Sequence, residues 1–397
     1  MYTENEVLEF VKEEDVKFIR LAFFDLSGKQ KNISIMPGEL HKAFCDGVSF
    51  DASAIEGFEQ PDKSDLFLHP DPSTLSVLPW RPNTGKVVRI FCNICYPDGR
   101  PYEKDGRYFL QKAVKALKDE CKISLSFGTE IVFYLFKLDE NGNPTTIPFD
   151  NASFMDIAPE DKGENIRREI CFTLEQMGII PESSHHEIGP GQNKIDFRYS
   201  LALTTADNVS TFKWIVRTKA AANGLHADFS PKPLAQEAGS SMHINISCDN
   251  LNPSDKNDYL PQVMAGIEKH LEEITYFLNP TEASYNRLGE LKAPKYICCG
   301  KENRSCAIRI PATKGEPRIE LRTPDPSCNP YVAFGLLIYA AIDGIKNNLK
   351  PNAVIEENLF DDQIAQKFNL KTIPDTLEVA EKIAHNSEWI IKMLTNS

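Results

Sequence analysis

The sequence is poor in the features that mark several large functional classes. No apolar run approaches the roughly 20 residues that a bilayer span needs. The opening stretch, MYTENEVLEFVKEEDVKF, is acidic and amphipathic. It has neither the basic start nor the apolar segment of a secretory leader, so a cytoplasmic protein is expected. Positive charge is in deficit: 44 Lys and Arg against 57 Asp and Glu give a net charge of -13. Such a balance repels phosphate backbones and argues against a nucleic-acid partner. The ten cysteines include one CxxC, Cys92 and Cys95, and no second pair that would complete a zinc ribbon. That pair sits in an expected strand, where residues three apart face opposite ways. Cys298 and Cys299 are adjacent rather than spaced for zinc, so reduced and mostly buried thiols are expected. There is no internal repeat, no low-complexity tail and no GxxxxGK[ST]. GPGQNK, at 189–194, is not a phosphate loop, and a nucleotide must bind by another route.

What remains is a globular chain of 397 residues, 41% apolar and 25% charged. That length exceeds one ordinary core and predicts two domains. Residues 4–13 read as a short helix, 16–35 as strand, turn and strand, and a helix starts at Pro37. The stretch 61–106 is rich in Pro, Asp and Gly, with a strand at 85–94. This predicts a small, mostly sheet α+β domain over residues 1–103 and a larger domain over 104–397. In the larger part, helical periodicity covers 105–120, 163–178, 207–224, 259–278 and 330–348, with a last helix from about 374 to the end. Between these helices lie strands of unusual polarity.

Side chains alternate along a strand, so residues i, i+2 and i+4 share a face. MHINIS places His243, Asn245 and Ser247 together, RIELR places Arg318, Glu320 and Arg322, and SSHHE places Ser183, His185 and Glu187. GTEIVFYLF puts Glu130 on one face with Val132, and NRSCAIRI adds Arg304 and Arg309. A single such strand is ordinarily a solvated sheet face. Several in one domain pool Glu, His and Arg. Glu with His binds a hard or borderline dication. Arginine forks take carboxylates and phosphates. Together they suit phosphoryl transfer.

These segments resemble type I glutamine synthetases nearly end to end. FDASAIEGF, SDLFLHPDPST, GTEIVFYLF, GENIRREI, SHHEIGPGQNKIDF, GLHADFSPKP, GSSMHINIS, NPTEASYNRL, NRSCAIRIP and RIELRTPDPSCNPYVA follow in the family's order. The resemblance implies an α+β chain: an N-terminal β-grasp domain, then a catalytic domain of curved antiparallel sheet with helices. It also implies a homo-oligomer with active sites at subunit junctions. The implied reaction uses ATP to phosphorylate the side-chain carboxylate of glutamate, after which ammonia displaces phosphate. Two Mg2+ or Mn2+ ions assist. By position, Glu130, His243 and Glu320 match the nucleotide-side metal ligands, and Glu187 matches a ligand of the second metal. Arg287, with Gly239 nearby, matches the grip on the substrate α-carboxylate. Arg304, Arg309 and Arg322 match the arginines around glutamate and the transferring phosphate. Glu182, Ser247, Arg309 and Arg318 match nucleotide contacts. Asp51 matches the aspartate that binds and deprotonates ammonium across the junction.

The chain also departs from that pattern. The second metal's other carboxylates are Val132 and Lys194 here. One carboxylate is a poor cage for a hard dication, so one metal site is expected to be intact and the second lost. The Lys194 ammonium either stands in for the ion, paired with Glu187, or merely fills an abandoned site. In the flap, RLGELKAP offers Lys292 where the family has glutamate, with Glu290 two residues away. A pocket tyrosine is Phe154, and an asparagine near the glutamate backbone contact is Ala238. The family's ring-locking tail is absent after EWIIKMLTNS, which makes a hexamer as reasonable as a double-ring dodecamer. Three functions follow. The first is an ATP-dependent ligase joining glutamate or a similar acid to ammonia or another amine. The second is a non-catalytic relative that binds ATP or glutamate as a sensor or partner. A carboxylate kinase releasing acyl phosphate is a third.

Overall fold

The computed structural model describes residues 2–395. They form two compact units, one comprising the chain up to Gln111 with Glu175–Gly178, the other Lys112–Leu174 and the chain from Ile179 onward. The first unit opens with the expected helix, Glu4–Glu13. Its start is fixed by a capping box: the Thr3 hydroxyl accepts from the Glu6 amide and the Glu6 carboxylate accepts from the Thr3 amide. Val7 and Val11 are its buried positions. A six-stranded sheet follows, built from β1 (Val16–Phe24), β2 (Gln30–Ile35), β3 (Val48–Asp51), β4 (Asp65–Pro70), β5 (Ser76–Val77) and β6 (Lys86–Cys95). The order is β2-β1-β6-β4-β3, with β5 on β6. Only β1 and β6 run parallel. Ile19, Leu21, Leu66, Leu68, Val88 and Ile90 form its core.

The second unit is organised on β7 (Ile123–Leu138), a 16-residue strand. The remaining strands are β8 (Pro144–Pro148), β9 (Pro181–His186), β10 (Gln192–Phe197), β11 (Ser200–Leu201), β12 (Leu225–Asp228), β13 (Met242–Asn250), β14 (Tyr296–Lys301), β15 (Cys306–Ile310) and β16 (Ile319–Leu321). The sheet order is β14-β15-β16-β13-β7-β10-β9, and β8, β11 and β12 also pair with β7. All pairs are antiparallel except β14–β15. Helices Ala202–Ala222, Leu260–Leu278 and Pro330–Lys346 supply the apolar cover, for example Phe334 stacked on Phe127 of β7 at 4.7 Å. The last two helices touch backbone to backbone. A Cβ on Gly266 would meet the Ala340 carbonyl oxygen at 2.0 Å.

Two expectations are corrected. The helix expected from Asp207 begins five residues earlier, at Ala202. Asp207 is not a cap; its carboxylate accepts a hydrogen bond from the buried Tyr331 hydroxyl at 2.6 Å. The final helix is two, Leu377–Asn386 and Glu388–Thr395, because the Ser387 hydroxyl caps a new start by accepting from the Ile390 amide. The last two residues of the expected span lie outside the described ones. All ten cysteines are free thiols. Among the described residues, no helix is long and apolar enough to cross a membrane.

Candidate active site

Strand register brings the polar faces together in three rows. Glu130 of β7 stands opposite His243 of β13 on one side and Asp196 of β10 on the other. One row on, Asn245 faces Glu320 of β16, which faces Arg309 of β15. In the opposite direction, Val132 faces Lys194, which faces His185 of β9. The even spacing of each strand carries these residues to one face of the sheet.

Glu130, His243 and Glu320 each offer a ligand atom, and these atoms lie within 4.8 Å of one another. Glu130 accepts from Asn245 Nδ2 at 2.9 Å and from Lys194 Nζ at 2.6 Å. Glu320 accepts from Arg309 at 2.5 Å and Arg322 at 2.6 Å. His243 Nδ1 lies 3.4 Å from Glu130 and 3.3 Å from Glu320. Burial opposes the charge on Glu130, but His243 and Lys194 outweigh it and hold its carboxyl far below the usual range. Glu320 is held ionised in the same way, against burial, by His243 and Arg322. Burial, then the Arg322 charge, depresses the His243 pKa. That shift is toward the neutral ring, the form in which histidine ligates metal.

Lys194 is enclosed, with its side chain 13% exposed. The expected pair with Glu187 is not formed within ion-pair distance. Register instead places the ammonium on Glu130, with Asp196 at 3.8 Å. Burial would lower the Lys194 pKa, but the charges of Glu130 and Asp196 raise it. Asp196 itself is pushed up to about 6 by burial. Glu187 takes His185 Nε2 at 3.2 Å, and its pKa is lowered, despite burial, by His185 and Lys194.

A cavity of about 360 Å³ lies over this face, entirely within the second unit. Its lining includes Glu130, His243 and Glu320, with Glu187 and Lys194. Arg287, Arg304, Arg309 and Arg322 supply a cationic wall, with Gly239 beside Arg287. Arg287 is 2% exposed and donates through Nη2 to the Thr323 and Pro324 carbonyls. Burial lowers its pKa to about 10, so it stays charged at neutral pH. Leu291, Lys292 and Ala293 of the flap line the cavity; Glu290 does not.

Four candidates lie outside the cavity lining. Asp51 ends β3 in the first unit, where its carboxylate accepts from the Ser53 amide at 2.9 Å and hydroxyl at 2.6 Å. Arg318 donates to Asn245 Oδ1 at 3.3 Å, one residue behind Glu130. Ser247 lies two positions further along β13, opposite Ser126. Glu182 is exposed on β9.

Sequence reasoning left Asp196 out, although it shares a strand face with Lys194. It also left out a buried cluster behind the site. His186 donates from Nδ1 to the Glu187 carbonyl at 2.6 Å and from Nε2 to Asp150 at 2.9 Å. Asp150 also accepts the Gly191 and Lys162 amides. Nearby Asp161 is paired with Arg167 at 2.5 Å. The HH dipeptide was the available signal. These carboxylates are already engaged by protein donors, which makes the cluster a clamp on the β9–β10 hairpin.

Comparison with known proteins matches both parts of the chain. The model of the glutamine synthetase β-grasp domain covers residues 15–97, and that of the glutamine synthetase catalytic domain covers residues 103–397. The glutamine synthetase of Methanosarcina mazei is 43% identical over 405 aligned positions, spanning 99% of this chain and 90% of that protein. The glutamine synthetase of Clostridium saccharobutylicum is 42% identical, spanning 99% and 91%. Among solved structures, GmaS in complex with ADP superimposes with a TM-score of 0.88 at 26% identity, covering 98% of this chain and 92% of that one. Plasmodium falciparum glutamine synthetase shares the fold, with a TM-score of 0.86 at 23% identity, covering 100% and 94%.

Proposed function

The chain belongs to the glutamine synthetase family, and from that membership we propose a one-dication variant of its reaction. It is an ATP-dependent ligase with an N-terminal β-grasp domain and a C-terminal catalytic domain. We place the boundary near residue 103, a reading supported by where the two family matches end and begin.

In the proposed reaction, the side-chain carboxylate of glutamate or a similar acid takes the γ-phosphoryl group of ATP. An amine then displaces phosphate. Arg287 grips the far carboxylate of the acid, in a position fixed by two backbone carbonyls and by the bare face of Gly239. Arg304, Arg309 and Arg322 neutralise charge on the carboxylate and the moving phosphoryl group. Glu182, Ser247, Arg309 and Arg318 contact the nucleotide. Asp51 of a neighbouring copy and Glu187 receive the amine's proton, which requires a homo-oligomer, hexameric or doubly ringed. The flap places Lys292 over the amine end.

The donor set Glu130, His243 and Glu320 fits a single Mg2+ or Mn2+: two carboxylates and one imidazole within reach of a common point. Such an ion supplies positive charge to the nucleotide phosphates. A second dication does not fit. Its side of the cavity offers Glu187 alone, beside the buried apolar Val132 and an enclosed ammonium. Lys194 supplies part of the missing charge there.

The observation that carries this reading is the convergence of the three ligands with Arg309 and Arg322 on Glu320. The test is phosphate release from Mg-ATP by the purified protein with glutamate, with and without ammonium or primary amines. Amine-stimulated release is expected. Nucleotide binding without turnover under any condition would overturn it in favour of a binding protein.

A further inference from the structure

The amine end of the cavity is built of groups that suit hydrocarbon better than ammonium. The lining that holds Glu187 also contains Val132, Phe154, Met155, Ile188 and Leu291, with Gln192 and Ser241 as its uncharged polar side chains. The Phe154 ring meets the His185 ring edge to face at 5.6 Å, and His185 in turn holds Glu187. The Met155 amide donates to the His186 carbonyl at 3.0 Å, which ties the Phe154–Met155 loop to the strand end that carries Glu187. Ammonium has four N–H groups to satisfy, and each one buried without an acceptor costs free energy. Of the lining carboxylates, Glu130 and Glu320 are taken by Lys194, Asn245, Arg309 and Arg322, Glu187 is shared with His185, and Lys292 adds a repelling charge.

We infer that the amine substrate is a primary monoamine carrying an apolar chain, with its nitrogen at Glu187 and its chain against Phe154, Ile188 and Leu291. This rests on the ligase reading above. In the second step the amine lone pair attacks the carbonyl carbon of the acyl phosphate. A C–N bond forms, the C–O bond to phosphorus breaks, and its electron pair leaves with phosphate. The surplus amine proton passes to the Glu187 carboxylate. The chain gains affinity by leaving water. A second, distal ammonium loses it, because that charge would be desolvated against apolar side chains and would face Lys292.

Ammonium, n-butylamine and 1,4-diaminobutane separate these terms, since the last two differ only in the terminal charge. The assay is phosphate release with Mg-ATP and glutamate, with the amide product identified by mass. The expected kcat/KM for n-butylamine exceeds that of both others by about 10-fold or more. Leu291 is 54% exposed, so Leu291→Asn keeps the fold. It is expected to raise the KM for n-butylamine about 5-fold, with kcat changed less. Best turnover with ammonium or the diamine overturns the inference and leaves the ligase reading standing; the apolar wall then belongs to a contact with a neighbouring copy. No phosphate release with any of the three overturns both.

Discussion

Gly239 shows how closely one residue can be specified. A Cβ there would stand 2.4 Å from the Pro231 carbonyl oxygen and 2.5 Å from Arg287 Cγ. Neither atom retreats easily, because Arg287 is pinned to two carbonyls and the Pro231 carbonyl accepts from the Ser240 amide at 2.9 Å. Gly239→Ala is therefore predicted to displace the Arg287 fork. The KM for the acid should rise by about 10-fold or more while kcat falls less, the mark of lost ground-state binding. Overpacking of this kind also costs about 1–3 kcal/mol of stability. Steady-state kinetics and a thermal melt check both. Lys194 is the second such residue. Restoring both carboxylates, in Val132→Glu with Lys194→Glu, is predicted to create a second dication cage beside Glu187. Mn2+ titration followed by EPR should then show two ions bound per subunit, against one in the unmodified protein. Two ions bound without the substitutions would contradict the one-dication account. The sequence marks Lys194 as a departure but does not reveal its partner. Glu187 is near in sequence; Glu130 is near in space, because β10 pairs with β7 in a register that only the assembled sheet fixes.

At the scale of elements, the β9–β10 hairpin carries Glu187 and Lys194 into the cavity, and His186 clamps it. Both His186 ring nitrogens face acceptors, so both carry protons. Burial opposes the charge, but hydrogen bonds to Asp150 and the Glu187 carbonyl raise the pKa above the ordinary value. A raised folded-state pKa contributes stability that is full below the unfolded value, about 6.5, and lost as pH rises through the folded value. The urea midpoint should therefore fall as pH rises above about 6.5, and His186→Gln should flatten that part of the profile. An unchanged slope in the variant would remove His186 as its source. Elements with strong local signals were legible. The helix at residues 4–13 was readable, and strand alternation predicts the polar faces of β7, β13 and β16. Elements set by tertiary partners were not. Asp207 looks like a helix start until Tyr331 is seen to take its carboxylate, and the Ser387 break hides within a continuous helical pattern.

For the whole molecule, the division into a small sheet domain and a larger domain followed from length and composition, and the catalytic nature of the larger one from the family resemblance. The function required the polar strand faces to be read together. One strand bearing charges is a solvated face. Three rows in one sheet bring Glu130, His243, Glu320 and Arg309 to a single cavity, whose lining also holds Glu187, Arg287, Arg304 and Arg322. The role given to Asp51 rests on family resemblance, since its own chain holds it on Ser53. The central claim is that this cavity makes an acyl phosphate from a carboxylic acid and ATP. The most direct measurement is turnover of glutamate labelled with 18O in its side-chain carboxylate, with Mg-ATP and amine, followed by mass analysis of the released phosphate. The account predicts one 18O atom transferred to each phosphate. Phosphate released without label would mean that water, not the acid, takes the phosphoryl group, and would contradict the account.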